Sequence, residues 1–138
     1  RPGSRSVTTD VCVPISRLAE CIERTRADLD ASQLETAIIG HVGDGNFHVL
    51  ILVDPEDPAE RARAEAANDR LTERALELGG TCTGEHGIGL HKMRFLARER
   101  DAATLAVMRA LKHALDPRNI LNPGKIVPPD GTQPFAVP

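Results

Sequence analysis

Glu35-Thr36-Ala37-Ile38-Ile39-Gly40-His41-Val42-Gly43-Asp44-Gly45-Asn46-Phe47-His48-Val49-Leu50-Ile51-Leu52-Val53 is the stretch that decides the fold. Glu35 to His41 and Phe47 to Val53 read as strands, rich in β-branched and apolar side chains. Gly43-Asp44-Gly45-Asn46 between them has a turn composition: glycine tolerates positive φ, and Asx side chains bond their own backbone. Two strands joined by such a turn make a hairpin.

Upstream, Val7 to Val13 reads as a strand ended by Pro14. Ser16 then offers a cap to a helix in which Ile15, Leu18, Ile22 and Leu29 recur at helical spacing. Arg17, Glu20, Arg24 and Asp28 fill its other face, and it ends near Ala31-Ser32. Downstream, Asp54-Pro55-Glu56-Asp57-Pro58 breaks the hairpin strand and opens a second helix, about Ala59 to Leu78. Its buried stripe is Ala64, Ala67, Leu71, Ala75 and Leu78; Gly79 and Gly80 stop it, and Thr81-Cys82-Thr83 forms a short fourth strand. The order β-α-β-β-α-β is the split βαβ of a ferredoxin-like sandwich, an α+β fold with both helices on one face of an antiparallel sheet. A further helical stretch from about His91 to Leu115, broken near Arg100-Asp101, turns Leu105, Met108, Leu111 and Leu115 inward. Leu121-Asn122-Pro123-Gly124-Lys125 is a turn, and the Pro-rich tail over 128–138 is expected to be mobile.

The chain has 138 residues, a length that suits one domain and one main core. With a formal net charge of -3 and scattered Lys and Arg, it has no electrostatic footprint for nucleic acid or an anionic membrane. No apolar run approaches the roughly 20 residues of a membrane span. The chain does not begin with Met, and Arg1-Pro2-Gly3-Ser4 lacks a signal-peptide pattern, so it reads as a fragment of a longer protein. Cys12, Cys21 and Cys82 form no C-x-x-C pair and read as small core residues in a reducing compartment.

Two Gly-rich segments carry the polar chemistry. His41 and His48 flank the hairpin turn, and Gly84-Glu85-His86-Gly87-Ile88-Gly89 adds a carboxylate and a third histidine. In the ferredoxin-like order the fourth strand shares the hairpin's sheet, so these side chains converge at one sheet end. Two imidazoles and a carboxylate suit Zn²⁺, Mn²⁺ or Fe²⁺ and leave positions open for substrate. Adjacent Glu85 and His86 cannot point the same way on a strand, so one ligates while the other works beside it. The spacing alone leaves two readings open, a metal site and a pair of turn-forming loops. Asp44 reads mainly as a turn former, and Asn46 sits where an amide can reach a substrate. His91 and His113 lie on helices and read as structural or solvent-facing. The glycines from Gly84 to Gly89 match neither G-x-G-x-x-G nor a P-loop, so a nucleotide site is disfavoured.

Taken in order, Thr9 to Leu18, His41 to His48, Gly80 to Gly89 and Leu121 to Lys125 resemble the C-terminal, substrate-side domain of FAD-linked oxidases. The group is that of D-lactate dehydrogenase (cytochrome) and the glycolate oxidase flavoprotein, of vanillyl-alcohol oxidase type. The resemblance runs from about Thr9 to Val127. It implies that His41, His48 and Glu85 bind a divalent metal, Zn or Mn. His86 would contact the substrate and act as general base, and Asn122 would touch FAD. The flavin would be bound mainly by an N-terminal domain that this chain lacks. The implied reaction oxidises a small 2-hydroxy acid to a 2-oxo acid by metal-assisted hydride transfer to flavin, with cytochrome c or a quinone as downstream acceptor. The implied location is cytoplasmic or peripheral to the inner membrane in a bacterium, and mitochondrial in a eukaryote. Relatives that take D-2-hydroxyglutarate usually carry Lys where Thr8 stands and often Asn where Leu50 stands, so the resemblance points to a substrate such as D-lactate. Glycolate oxidase and D-2-hydroxyglutarate dehydrogenase are the alternatives within the family. Outside it stand a metal-dependent hydrolase and a non-catalytic ferredoxin-like binding module.

Overall fold

Alternation along the second hairpin strand organises the fold. In a computed structural model that describes residues 2–127, the strands are β1 (Arg5–Thr8), β2 (Val11–Cys12), β3 (Glu35–His41) and β4 (Asn46–Val53). The helices are α1 (Ile15–Ser32), α2 (Pro58–Glu77), α3 (Met93–Glu99) and α4 (Ala102–Leu115). The chain divides into two compact units, Arg1–His86 and Gly87–Pro138.

In the first unit, β4 is central and antiparallel to all its partners: β1 and β2 on one side and β3 on the other. Phe47, Val49, Ile51 and Val53 join Leu18, Cys21 and Leu29 of α1 and Ala64, Ala67, Leu71 and Ala75 of α2 in one core. Burying each large side chain there contributes about 1.5–3 kcal/mol. The hairpin turn is a single 3₁₀ turn, Val42–Asp44, closed by Gly45 at φ 72°. A Cβ on Gly45 would lie 2.0 Å from the Val13 carbonyl oxygen, so glycine lets the turn pack on the neighbouring strand.

β1 and β2 keep one register along β4: Thr8 faces Leu50 and Val11 faces Phe47. The single strand expected over Val7–Val13 is therefore interrupted at Thr9-Asp10 without a slip. There the Val49 amide donates to Thr9 Oγ1 at 2.8 Å. The fourth strand is reduced to one antiparallel bridge, Cys12 with Thr81. The resulting spatial order, Thr81 beside β1/β2, then β4, then β3, is that of a ferredoxin-like α+β sandwich.

α1 starts after Pro14, with no side-chain cap, so Ser16 lies inside the helix and does not cap it. Its buried line is Leu18, Cys21, Thr25 and Leu29, while Ile15 is exposed. Thr25 is tolerated inside because Arg74 Nη1 donates to its hydroxyl at 2.9 Å, and Arg74 also pairs with Asp28. α2 buries the expected stripe, with Leu78 just past its end, and Asp57 caps it by accepting from the Ala59 and Glu60 amides.

In the second unit the predicted break falls between α3 and α4, where Asp101 caps α4 by accepting from the Thr104 amide at 2.7 Å. Only Leu105 of the expected inner face is buried; Leu111 and Leu115 are exposed. The expected mobile tail, 128–138, lies outside the described residues.

Candidate metal centre

The face of the sheet opposite the helices carries the site. Side chains alternate along a strand, so with Phe47 and Val49 in the core, Asn46, His48 and Leu50 point to the other side. On β3, Ile39 stands opposite His48 and His41 opposite Asn46, which sets both hairpin histidines at one end of that face. Their ring centroids are 6.1 Å apart and nearly perpendicular.

Thr83 to His86 form a loop rather than a strand, and the loop closes onto the same end. Glu85 Oε1 lies 3.2 Å from His48 Nε2, 3.9 Å from His41 Nε2 and 4.0 Å from His86 Nε2. The His86 ring stacks on His48, with centroids 5.1 Å apart and planes 20° from parallel. Glu85 and His86 thus both reach the site, because a loop is free of the strand alternation that would have separated them. His48 is buried, and His41, Glu85 and His86 are half open to solvent.

The tautomer of His48 follows from its surroundings. Its Nδ1 lies 3.1 Å from the Thr9 carbonyl oxygen, which can only accept. Nδ1 therefore donates to Thr9, and Nε2 is turned toward Glu85. This hydrogen bond fixes the ring of a would-be ligand from behind.

Two overlapping triads offer ligand atoms within 4.8 Å of one another: His41, His48 and Glu85, and Asp10, His48 and His86. The donors choose between them. Asp10 is 1% exposed and already accepts from Thr83 Oγ1 and the amides of Gly84, Glu85 and His86. His48 Nδ1 is likewise engaged by Thr9. The His41, His48 and Glu85 side keeps free ligand atoms and a solvent-facing opening. Its 3.2 and 3.9 Å separations suit donors about 2.0–2.2 Å from a common ion. These residues fit a divalent metal with coordination positions left open.

Asn46 is buried, and its Oδ1 has no hydrogen-bond partner among the described residues. Gly84 packs on it: a Cβ there would lie 2.0 Å from Asn46 Oδ1 and 2.5 Å from Asp10 Oδ1. Cys12, opposite Asn46 in the register, donates to the Asp44 carbonyl at 3.3 Å. Burial raises its thiol pKa, and the carboxylates of Asp10 and Asp44 add to the effect. In the second unit, Asn122 adopts φ 49° and accepts from Lys125 Nζ at 3.1 Å. His91 and His113 are exposed.

Sequence reasoning missed Asp10 and Thr9 as parts of the site. A signal was present: an acidic residue interrupts a β-rich run at a position strands disfavour.

The family model described as "FAD linked oxidases, C-terminal domain" matches residues 1–126. The chain is 53% identical over 127 residues to "Probable D-lactate dehydrogenase, mitochondrial" of Danio rerio, covering 92% of this chain and 26% of that protein. It is 48% identical over 128 residues to "D-lactate dehydrogenase [cytochrome], mitochondrial" of Arabidopsis thaliana, covering 93% and 23%. It is 38% identical over 125 residues to "Glycolate oxidase subunit GlcD" of Bacillus subtilis, covering 91% and 27%. The chain spans about a quarter of the length of these curated relatives.

Proposed function

The chain belongs to the family of the C-terminal domain of FAD linked oxidases, and from that premise we propose that it forms the substrate-side domain of an FAD-dependent D-2-hydroxy acid dehydrogenase, with D-lactate as the best-fitting substrate. The observation that carries this reading is the convergence of His41, His48 and Glu85 beside the stacked ring of His86. Zn²⁺ or Mn²⁺ would be held by His41, His48 and Glu85 and would supply Lewis acidity toward the 2-hydroxy acid. FAD, bound mainly by the remainder of the parent protein, would supply the hydride acceptor.

The chain's own residues do the rest. His48 is locked by Thr9 with Nε2 outward, and Glu85 and His41 close the ligand set. His86 contacts the substrate and takes the hydroxyl proton, a role suited to an imidazole near neutral pH. The Cα–H pair leaves as hydride and the O–H proton goes to His86, which leaves a 2-oxo acid. Asn122 is proposed to contact the flavin. Asn46 is proposed to bind the substrate with its amide; its Oδ1 is buried beneath Gly84. Asp44 serves the turn.

Specificity has a structural correlate. Leu50 lies between Thr8 and Ala37 in the register, on the same face as His48. This row has no cation or amide for a second carboxylate, which favours a short, apolar 2-hydroxy acid over D-2-hydroxyglutarate. The names of the relatives support a cytochrome as acceptor, proposed here to be cytochrome c with a quinone as the alternative, and a mitochondrial location in a eukaryote. No helix of the described residues is long and apolar enough to cross a membrane.

The test is flavin reduction in the parent protein with D-lactate, glycolate and D-2-hydroxyglutarate as substrates. D-Lactate is expected to reduce the flavin fastest, and His86→Ala to slow that step about 10²–10⁴-fold. Wild-type rates in His86→Ala would refute the base assignment, and a clear preference for D-2-hydroxyglutarate would refute the specificity reading.

A further inference from the structure

We propose that Asp10 is a positioning residue for the site: a buried carboxylate that moulds the 83–86 loop so that Glu85 and His86 meet His48. The proposal rests on the metal-centre reading above and adds a residue outside the proposed ligand set of His41, His48 and Glu85.

Asp10 Oδ2 accepts from Thr83 Oγ1 at 2.7 Å and from the amides of Gly84, Glu85 and His86 at 2.8, 3.0 and 2.9 Å. Its Oδ1 accepts from the Glu85 amide at 3.1 Å and lies 3.6 Å from His48 Nδ1. Three consecutive amides converging on one anion form a nest, and a nest sets the backbone direction of the residues that build it. The last two residues of that span are the proposed metal ligand Glu85 and His86, whose ring stacks on His48. The partners lie 73 to 76 positions along the chain, so this contact, rather than local propensity, places the loop.

Two neighbours, Gly84 and Thr9, allow the approach. Gly84 has no side chain to strike Asp10 or Asn46. The strand breaks at Thr9-Asp10 and keeps its register because Thr9 Oγ1 takes the Val49 amide. That substitution leaves the Thr9 carbonyl for His48 Nδ1. One short segment, Thr9-Asp10, thereby orients His48 from behind and Glu85 and His86 from below. An Asn at position 10 can keep an oxygen toward the donors that meet Oδ2, but its NH₂ then replaces Oδ1, which accepts from the Glu85 amide, and the negative charge at the centre of the nest is lost.

Asp10→Asn and Thr83→Val test this in the full chain, with Zn²⁺ titrated calorimetrically and amide hydrogen exchange followed at residues 84–86. Asp10→Asn is expected to weaken Zn²⁺ binding about 10–100-fold, as removal of a group behind the ligands does. Thr83→Val, which deletes one of the donors and spares the core, is expected to weaken it several-fold. In both variants exchange rises at 84–86 while β4 stays protected. Leu71→Ala, a core change away from the site, controls for lost stability and should leave Zn²⁺ affinity within about twofold. Should Asp10→Asn fail to fold, Thr83→Val decides. Unchanged affinity with unchanged exchange at 84–86 overturns the proposal. If the unmodified chain takes up no more Zn²⁺ than His48→Ala, the metal-centre reading fails instead, and exchange at 84–86 still decides the role of Asp10.

Discussion

Gly84 shows how narrow the tolerance of the site is at the scale of a residue. A Cβ there would meet Asn46 Oδ1 at 2.0 Å and Asp10 Oδ1 at 2.5 Å, distances that require the loop, the strand or both to shift. Gly84→Ala is therefore expected to destabilise the fold by about 1–3 kcal/mol, the usual cost of overpacking, and to weaken Zn²⁺ binding at the same time. Urea unfolding and calorimetric titration read the two effects separately. An alanine variant with wild-type midpoint and wild-type affinity would show that the loop is not packed on Asn46 as described. The same scale explains which residues the sequence disclosed. Histidines between glycines stand out by composition, whereas Asp10 acts through partners more than 70 positions away and has no local signature beyond an acid in a strand-like run.

Helix ends illustrate what elements contribute. Asp116 follows α4, pairs with Lys112 and accepts from the Ile120 and Leu121 amides at 3.0 and 2.9 Å. The Lys112 ammonium is the main cause that lowers its carboxyl pKa from 3.8 to about 2. A depressed folded value means that the stabilisation is complete above the ordinary pKa and fades as pH falls through the folded one. The turn over 116–121 should therefore loosen between about pH 4 and pH 2, seen as a shift of the Ile120 and Leu121 amide signals. In Asp116→Asn that titration should vanish; its persistence would assign the transition to another group. α4 also marks the limit of reading an element from periodicity. Its apolar repeat is evident in the sequence, but Leu111 and Leu115 are exposed in the unit, because periodicity names a face without saying what covers it.

For the molecule as a whole, the chain corresponds to about a quarter of its curated relatives and holds the proposed metal ligands and base together in its first unit. Under the proposed function, the flavin would be bound mainly by regions corresponding to the part of the relatives that this chain does not match. The chain incubated with FAD and passed through gel filtration is expected to retain no stoichiometric flavin, while still binding Zn²⁺. Equimolar FAD carried through the column would show that this domain binds the cofactor by itself.

Most of the fold was legible in the sequence. The hairpin, the α2 stripe and the βαββαβ order follow from alternation, helical spacing and Gly/Pro punctuation, which are short-range consequences of backbone geometry. The three histidines and Glu85 were legible as candidates for the same reason: they sit in glycine-rich segments at predictable strand ends. What only the tertiary structure decided is how they meet. The fourth strand contracts to a single bridge at Thr81, the segment beyond it becomes a loop, and the buried Asp10 carboxylate gathers that loop's amides. Those contacts join residues far apart in the chain, and their geometry depends on the packing of the whole unit rather than on any window of sequence.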